Sequence, residues 1–154
     1  MVFLRTCPSR TAGRRRLSRS AAVIVRYFQG PILSRADALH SGAPIWLTAV
    51  RAAESKKAAD IKVLDLTGIT SFTDYFVLCT GSNTRQIQAI SDAVALQLKE
   101  HGELPISMEG YSQAEWILVD YGDFLMHIFS ARARDYYDLE RLWRNARNVD
   151  IPAA

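Results

Sequence analysis

Apolar residues recur at helical spacing in two stretches of the chain. In the longer stretch they predict an amphipathic helix running to about residue 101. The stripe of this helix consists of Ile87, Ile90, Val94 and Leu98. Ser82 or Asn83 is suited to cap the start of the helix, and Gly102 to end it. A shorter amphipathic helix is predicted from about residue 45 to residue 57, where Trp46 and Val50 are four residues apart.

Other runs have the pattern of β-strands. Residues 61–66 and 74–80 are predicted to be strands, and the second is so apolar that it should lie at the centre of a sheet. The clearest local pattern is an antiparallel hairpin with strands at residues 116–120 and 124–129, joined by a turn at residues 121–123. A short edge strand is predicted at residues 106–109.

The last helix completes the predicted order of elements. It should begin at Ser130, with Tyr136, Leu139 and Trp143 facing inward, and a short tail should begin at Asn148. The order is then helix, strand, strand, helix, hairpin, helix. This order predicts an α/β fold with a mixed sheet of four or five strands and flanking helices.

The charge of the chain divides it into two regions. Residues 1–46 carry eight arginines and one acid, a net charge of +7, whereas residues 47–154 carry 11 basic and 15 acidic residues, a net charge of −4. This division predicts a disordered basic extension at residues 1–46, one folded domain at residues 47–147 and a tail at residues 148–154. Two other interpretations of the extension stay open: an organelle transit peptide, or a true start codon further into the chain.

The acidic domain bears on the kind of partner. Nucleic acid repels an acidic surface, while a basic protein attracts it. The longest apolar runs, such as residues 116–119, are too short to span a bilayer.

The residues of types that often serve in catalysis do not combine into a recognisable catalytic pattern. Gly81-Ser82 follows a buried strand and precedes a helix, so it could cradle a phosphate, but such a turn is more often a plain helix cap. Nucleotidyltransferase chemistry needs two carboxylates one residue apart on a strand to hold Mg²⁺, and no predicted strand has such a pair. Cys79 and His127 lie within predicted strands and are interpreted as a buried thiol and a hydrogen-bonded core histidine. We therefore expect no catalytic residue, metal or cofactor.

The hairpin is the most unusual candidate surface. Trp116, Leu118 and Asp120 alternate onto one face of its first strand, and residues 121–123 should form an exposed tip near Glu115. Aromatic residues rimmed by acids suit docking on a basic protein. The sequence is equally compatible with a Trp116 that is buried in the core.

Several strings in this chain together resemble the ribosomal silencing factor family, also called RsfS or Iojap, over about residues 50–144. The strings are Leu64-Asp65-Leu66, Phe72-Thr73-Asp74-Tyr75-Phe76-Val77, Thr80-Gly81-Ser82, Arg85-Gln86, Glu109-Gly110, Trp116-Ile117-Leu118-Val119-Asp120-Tyr121-Gly122-Asp123, His127-Ile128-Phe129 and Tyr137-Asp138-Leu139-Glu140-Arg141-Leu142-Trp143. Each string alone is weakly specific, but the ordered set is very specific.

The resemblance implies a fold related to nucleotidyltransferases without their catalytic carboxylates. It also implies a cytoplasmic protein, homodimeric when free, that binds a basic ribosomal protein on the joining face of the large subunit. Bound there, it would block the small subunit and repress translation under nutrient limitation. The docking residues implied are Trp116 and Asp120, to which the hairpin adds Tyr121, Asp123 and Glu115.

Neither a membrane nor a specific nucleic-acid sequence is expected as a partner. Two alternatives remain. One is an assembly factor for the large ribosomal subunit of a mitochondrion or plastid, with residues 1–46 as its transit peptide. The other is a nucleotidyltransferase-like enzyme that uses Gly81-Ser82.

Overall fold

The computed structural model of the protein describes residues 42–154, so the predictions for residues 1–41 lie outside it. The helices are α1 (Ile45–Ser55), α2 (Thr84–Glu100), α3 (Ala131–Tyr137) and α4 (Leu139–Leu142). The strands are β1 (Ala59–Asp65), β2 (Tyr75–Gly81), β3 (Ser107–Glu109), β4 (Trp116–Asp120), β5 (Phe124–Ser130) and β6 (Arg147–Val149). These elements form a mixed α/β fold, as the sequence predicts.

The strands form one mixed sheet in the order β3-β4-β5-β2-β1-β6. Only β2 and β5 run parallel, and the other neighbours are antiparallel. The predicted central position of β2 is confirmed. Tyr75 pairs with Phe124, so β2 and β5 start at the same end of the sheet. The turn of the β4–β5 hairpin lies at that end as well.

Both faces of the sheet are covered. In β2, Val77 and Cys79 face a core shared with α1 and α2, while Phe76 and Leu78 face a core that includes Leu139 of α4. This alternation explains why β2 is apolar at almost every position. The predicted stripe of α2 is confirmed, since Ile87, Ile90, Val94 and Leu98 are all buried in the first core.

The ends of α2 have the predicted caps. Asn83 is the N-cap, and its side-chain oxygen accepts a hydrogen bond from the backbone N–H of Gln86 at 2.9 Å. Gly102 follows the helix with a φ of +82°, a left-handed conformation that glycine adopts without a steric penalty.

The sheet formed by the described residues has six strands, so the predicted count of four or five was too low. The additional strand is β6, which pairs with β1 at the sheet edge and includes two residues, Asn148 and Val149, of the predicted tail. The guanidinium of Arg147 reaches the carboxylate of Asp65 at 2.6 Å. A strand of three residues has no periodicity to detect, and its pairing depends on a contact 82 residues away.

The predicted last helix is interrupted at Asp138. This residue has a φ of +42°, which ends α3, and its side chain then caps α4. The break redirects the chain, so Leu139 and Trp143 are buried as predicted while Tyr136 is 72% exposed. The prediction that Tyr136 faces inward was therefore wrong.

Candidate functional site

The tip of the β4–β5 hairpin is held in place by local and long-range hydrogen bonds. The carboxylate of Asp120 accepts a hydrogen bond from the backbone N–H of Gly122 at 2.7 Å, and Gly122 has a φ of +86°. The carbonyl of Asp123 accepts hydrogen bonds from the backbone N–H groups of Asp74 and Tyr75 at 3.1 and 3.3 Å. The tip is therefore fixed to the start of β2.

Trp116 lies in the core and is only 3% exposed. Its ring centroid is 4.9 Å from that of Phe129 and 4.5 Å from that of Tyr137. Its indole N–H donates a hydrogen bond to Nδ1 of His127 at 3.2 Å. Of the two positions that the sequence left open for Trp116, the structure shows the buried one.

The sequence predicts that Tyr121 lies in an exposed tip, and this prediction was wrong. It is 8% exposed and stacks on Phe124 with a centroid distance of 5.0 Å, in the core shared with α1 and α2. The strand alternation continues past Asp120, so Tyr121 faces the side opposite to Trp116. Burial raises the pKa of the Tyr121 hydroxyl to about 12.

Glu115 is exposed but lies at the other end of β4 from the hairpin tip. Its carboxylate accepts a hydrogen bond from the hydroxyl of Ser130 at 3.0 Å. Asp120 follows five positions later, a distance of about 16 Å along an extended chain. The structure thus brings Asp120 and Asp123 to one end of the hairpin and Glu115 to the other.

A third carboxylate, Asp74, lies beside the hairpin tip and was missed by sequence reasoning. Its side chain is exposed, and partial desolvation, followed by the negative charges of Asp123 and Asp65, raises its pKa above the ordinary value. We call Asp74, Asp120 and Asp123 the acidic tip. Asp74 is 49 residues from Asp123 in the sequence, and only the parallel pairing of β2 with β5 brings them together.

The acidic tip belongs to a long stretch without basic side chains. Residues 100–131, which include all of β3, β4 and β5, contain six carboxylates and no lysine or arginine. The carboxylates are Glu100, Glu103, Glu109, Glu115, Asp120 and Asp123. Within residues 42–154, no ion pair involves Glu103, Glu109 or Asp123. Glu103, Glu109 and Asp123 therefore carry negative charge that no ion pair within the described residues balances, whereas Asp120 is only 5% exposed.

His127 and Cys79 are structural residues, as the sequence indicated. His127 is fully buried, and its pKa is lowered to about 3, mainly by burial and secondarily by the charge of Arg134. Burial likewise raises the pKa of the Cys79 thiol to about 12. At neutral pH the histidine is therefore uncharged and the thiol protonated, which makes the first a poor acid and the second a poor nucleophile.

The Gly81-Ser82 turn serves helix packing and capping. A β-carbon added to Gly81 would lie 2.6 Å from Cγ1 of Ile87, so glycine lets α2 approach the sheet closely. The side-chain oxygen of Gln86 accepts hydrogen bonds from the backbone N–H and the hydroxyl of Ser82 at 2.7 and 2.8 Å. The backbone N–H and the hydroxyl of Ser82 are thus used within the chain, and the predicted helix cap is confirmed at Asn83.

Neither a metal cluster nor a membrane span is found in the described part of the chain. Residues 42–154 contain no group of three or more histidine, cysteine, aspartate or glutamate side chains that could hold a metal ion. In the same residues no helix combines the length and the apolar character needed to cross a membrane.

Comparisons with known proteins agree with the resemblance seen in the sequence. The family model described as "Ribosomal silencing factor during starvation" matches residues 41–154. The ribosomal silencing factor RsfS of Bacillus subtilis is 42% identical over 103 residues, covering 67% of this chain and 87% of the relative. A mouse protein named for mitochondrial assembly of the ribosomal large subunit is 31% identical, covering 57% of this chain and 40% of that protein.

A solved structure has the same fold. A crystal structure of a protein from Chromobacterium violaceum superposes with a TM-score of 0.64 at 35% identity, covering 71% of this chain and 91% of that one. The family model covers well over half of the chain and includes every strand and helix described above. The chain belongs to the ribosomal silencing factor family, which is a regulatory family and not a family of enzymes.

Proposed function

We propose that this protein binds a basic protein on the joining face of the large ribosomal subunit and keeps the small subunit from joining. Translation would thereby be repressed when nutrients are scarce. The observation that carries the proposal is the charge of residues 100–131, six carboxylates with no lysine or arginine, in a member of the ribosomal silencing factor family.

Electrostatics favour a protein partner over ribosomal RNA. The phosphates of RNA repel an acidic surface, whereas lysine and arginine side chains of a ribosomal protein attract it. Asp123 is exposed at the hairpin tip and is fixed through its backbone, so a partner's cation can meet it at little entropic cost. We therefore place the centre of the docking site at the acidic tip.

The five hairpin residues predicted from the sequence then have different roles in docking. Asp123 supplies exposed charge at the tip, and Glu115 supplies charge at the far end of β4. Asp120 is only 5% exposed, so its role is to shape the turn through its hydrogen bond with Gly122. Trp116 and Tyr121 act from beneath the surface, by packing on opposite faces of the strand that presents these carboxylates. Loss of Trp116 should therefore weaken binding through the shape of the hairpin.

Silencing by occupancy requires no catalytic step. A protein bound at the joining face excludes the small subunit by its volume alone. We further propose that the protein acts in the cytoplasm and is a homodimer when free.

Sedimentation with purified subunits tests this function. The protein is first mixed with large subunits, the small subunit is added last, and the particles are separated on a sucrose gradient. The protein should migrate with the large subunit and reduce the peak of joined particles. Unchanged joining at saturating protein would contradict the proposed function, and so would migration with the small subunit alone.

A second candidate is an assembly factor for the large subunit of an organelle ribosome. It is favoured by the name of the mouse relative and by the arginine-rich, acid-poor composition of residues 1–46. The N-terminus of the protein isolated from its own cells distinguishes the two candidates. An N-terminus near residue 46 in an isolated organelle favours the assembly factor, and a chain that starts at Met1 in the cytoplasm favours the silencing factor.

A further inference from the structure

We infer that an apolar surface at the β3 edge of the sheet forms part of the docking site and is covered by an apolar spot on the basic ribosomal protein. We call Leu104, Ile106 and Met108 the sheet-edge surface. The inference rests on the proposed function and extends it, because it assigns the apolar part of the contact to residues outside the hairpin.

The first observation is that apolar residues along this edge are more exposed than the residues between them. Leu104, Ile106 and Met108 are 65%, 67% and 36% exposed, and they are separated from one another by single residues. The residues between and beside them, which include Glu103 and Glu109, are less exposed. A solvated edge strand normally turns its polar side chains outward, since exposed apolar area invites association. The arrangement here fits a surface that is covered in a complex.

The second observation is that this surface is continuous with the acidic tip. The backbone N–H of Ile106 donates a hydrogen bond to the carbonyl of Asp120 at 2.7 Å. A β-carbon built on Gly122 would lie 3.3 Å from Cδ1 of Ile106, so the Ile106 side chain lies against the hairpin turn. A partner that contacts Asp123 therefore meets the sheet-edge surface as part of the same area.

Charge identifies the partner as a basic protein and disfavours a second copy of this chain. Glu103, Glu109 and Asp123 surround the sheet-edge surface, and residues 100–131 contain no lysine or arginine to balance them. In a two-fold contact the same surface of each copy meets its equivalent, so these carboxylates would face one another. A basic protein with an apolar spot satisfies both the charge and the apolar area.

The opposite edge of the sheet does not show this apolar exposure. In β6, Arg147 and Asn148 are exposed, and Val149 is half-buried. That edge is polar, as expected for an edge that stays in water.

The test is the affinity of Ile106→Ser for purified large subunits, compared with Leu142→Ser. Leu142 is a matched control because it is 58% exposed and lies in α4, outside the sheet-edge surface. We expect Ile106→Ser to bind about tenfold more weakly than the parent, as an apolar anchor does, and Leu142→Ser to bind equally well. Leu104→Ser serves as a second variant if Ile106→Ser fails to fold, as judged by circular dichroism.

The outcomes separate this inference from the proposed function. If the parent itself does not bind large subunits, the proposed function fails. If the parent binds and both serine variants at the edge bind equally well, the inference fails while the proposed function stands. If Ile106→Ser loses self-association in a sedimentation-velocity run but keeps its affinity for large subunits, the surface is covered by a second copy and the inference is overturned.

Discussion

The two sides of the sheet differ in whether their carboxylates form ion pairs within the chain. On the β1–β6 side, the carboxylate of Asp65 is paired with Arg147 at 2.6 Å, and that of Glu140 is paired with Arg134. On the β3 side, Glu109 and Asp123 form no ion pair with any residue between 42 and 154. The apolar residues beside them point outward as well.

On the β1–β6 side, carboxylates are neutralised by ion pairs within the chain. On the β3 side, carboxylates and apolar side chains are exposed in the way expected of a binding surface. Carboxylates paired within the chain should contribute to the free energy of unfolding, while unpaired carboxylates on a fixed edge should contribute to binding. Four predictions follow this distinction, ordered by the size of the expected change in stability.

The largest effect is expected from Trp116→Ala, because Trp116 belongs to the core even though it lies in the β3-side half of the sheet. The substitution should lower the free energy of unfolding by about 3–5 kcal/mol, the usual cost of removing a buried tryptophan ring. Trp116→Phe keeps most of the ring volume and should cost about 1–2 kcal/mol through the lost hydrogen bond to His127. Urea denaturation measures both. Near-parental stability of Trp116→Ala would mean that the inner face of β4 is not structural.

The second-largest effect is expected from the titration of His127 in β5, which lies between β2 and β4 and makes the stability depend on pH. The His127 ring lies 4.5 Å from that of Phe76 in β2 and 5.8 Å from that of Trp116 in β4. Its pKa falls from an ordinary value of 6.5 to about 3 in the folded state. Below pH 6.5 the unfolded chain therefore binds a proton that the folded chain does not, and stability is lost as the pH falls from 6.5 towards 3.

The expected loss from this group is about 2 kcal/mol between pH 7 and pH 5. Urea denaturation at both pH values measures it, with His127→Gln as the control because glutamine does not titrate. The parent should lose more stability than the glutamine variant over this range. Equal losses in the two proteins would show that His127 is protonated in the folded state.

A smaller effect is expected from Asp65→Asn on the β1–β6 side. Asparagine keeps the shape but weakens the hydrogen bonds from Thr67 and Arg147 to the carboxylate. Because the Arg147 side chain is 81% exposed, the loss of stability should be about 1 kcal/mol. Binding to large subunits should not change. If Asp65→Asn weakened binding without lowering stability, the docking site would lie on the β1–β6 side, contrary to the proposal.

The smallest change in stability is expected from Asp123→Asn at the acidic tip. Its side chain is exposed, and the tip is held by its backbone carbonyl, so the free energy of unfolding should change by less than about 0.5 kcal/mol. Binding should weaken, and the dependence of affinity on salt should become shallower because one charge is removed. Affinities at two salt concentrations measure this, and an unaltered salt dependence would exclude Asp123 from the contact.

Much of the fold could be predicted because the relevant signals are local. The stripe of α2 and the cap at Asn83 depend on residues within a few positions of one another, and so does the β4–β5 hairpin. The short strand β6 could not be predicted, since Arg147 finds its partner Asp65 far away in sequence. The break at Asp138 was missed because a left-handed residue leaves no trace in hydrophobic periodicity.

The candidate site could be predicted only in part, for the same reason. Asp120 and Asp123 share a hairpin, so their proximity could be read from the sequence. Asp74 joins them only because β2 and β5 are parallel neighbours, a pairing that alternation within either strand does not specify. Tyr121 was placed at the tip because polar turn residues surround it, although its ring packs on Phe124.

The most direct test of the central claim compares charge reversal on the β3 side with charge reversal elsewhere. Asp123→Lys changes the acidic tip, and Asp135→Lys makes the same change at an exposed position in α3. Affinity for purified large subunits is measured by co-sedimentation at low salt. We expect Asp135→Lys to bind as the parent does and Asp123→Lys to bind at least about tenfold more weakly. Equal affinity of the two variants would contradict docking through the acidic tip.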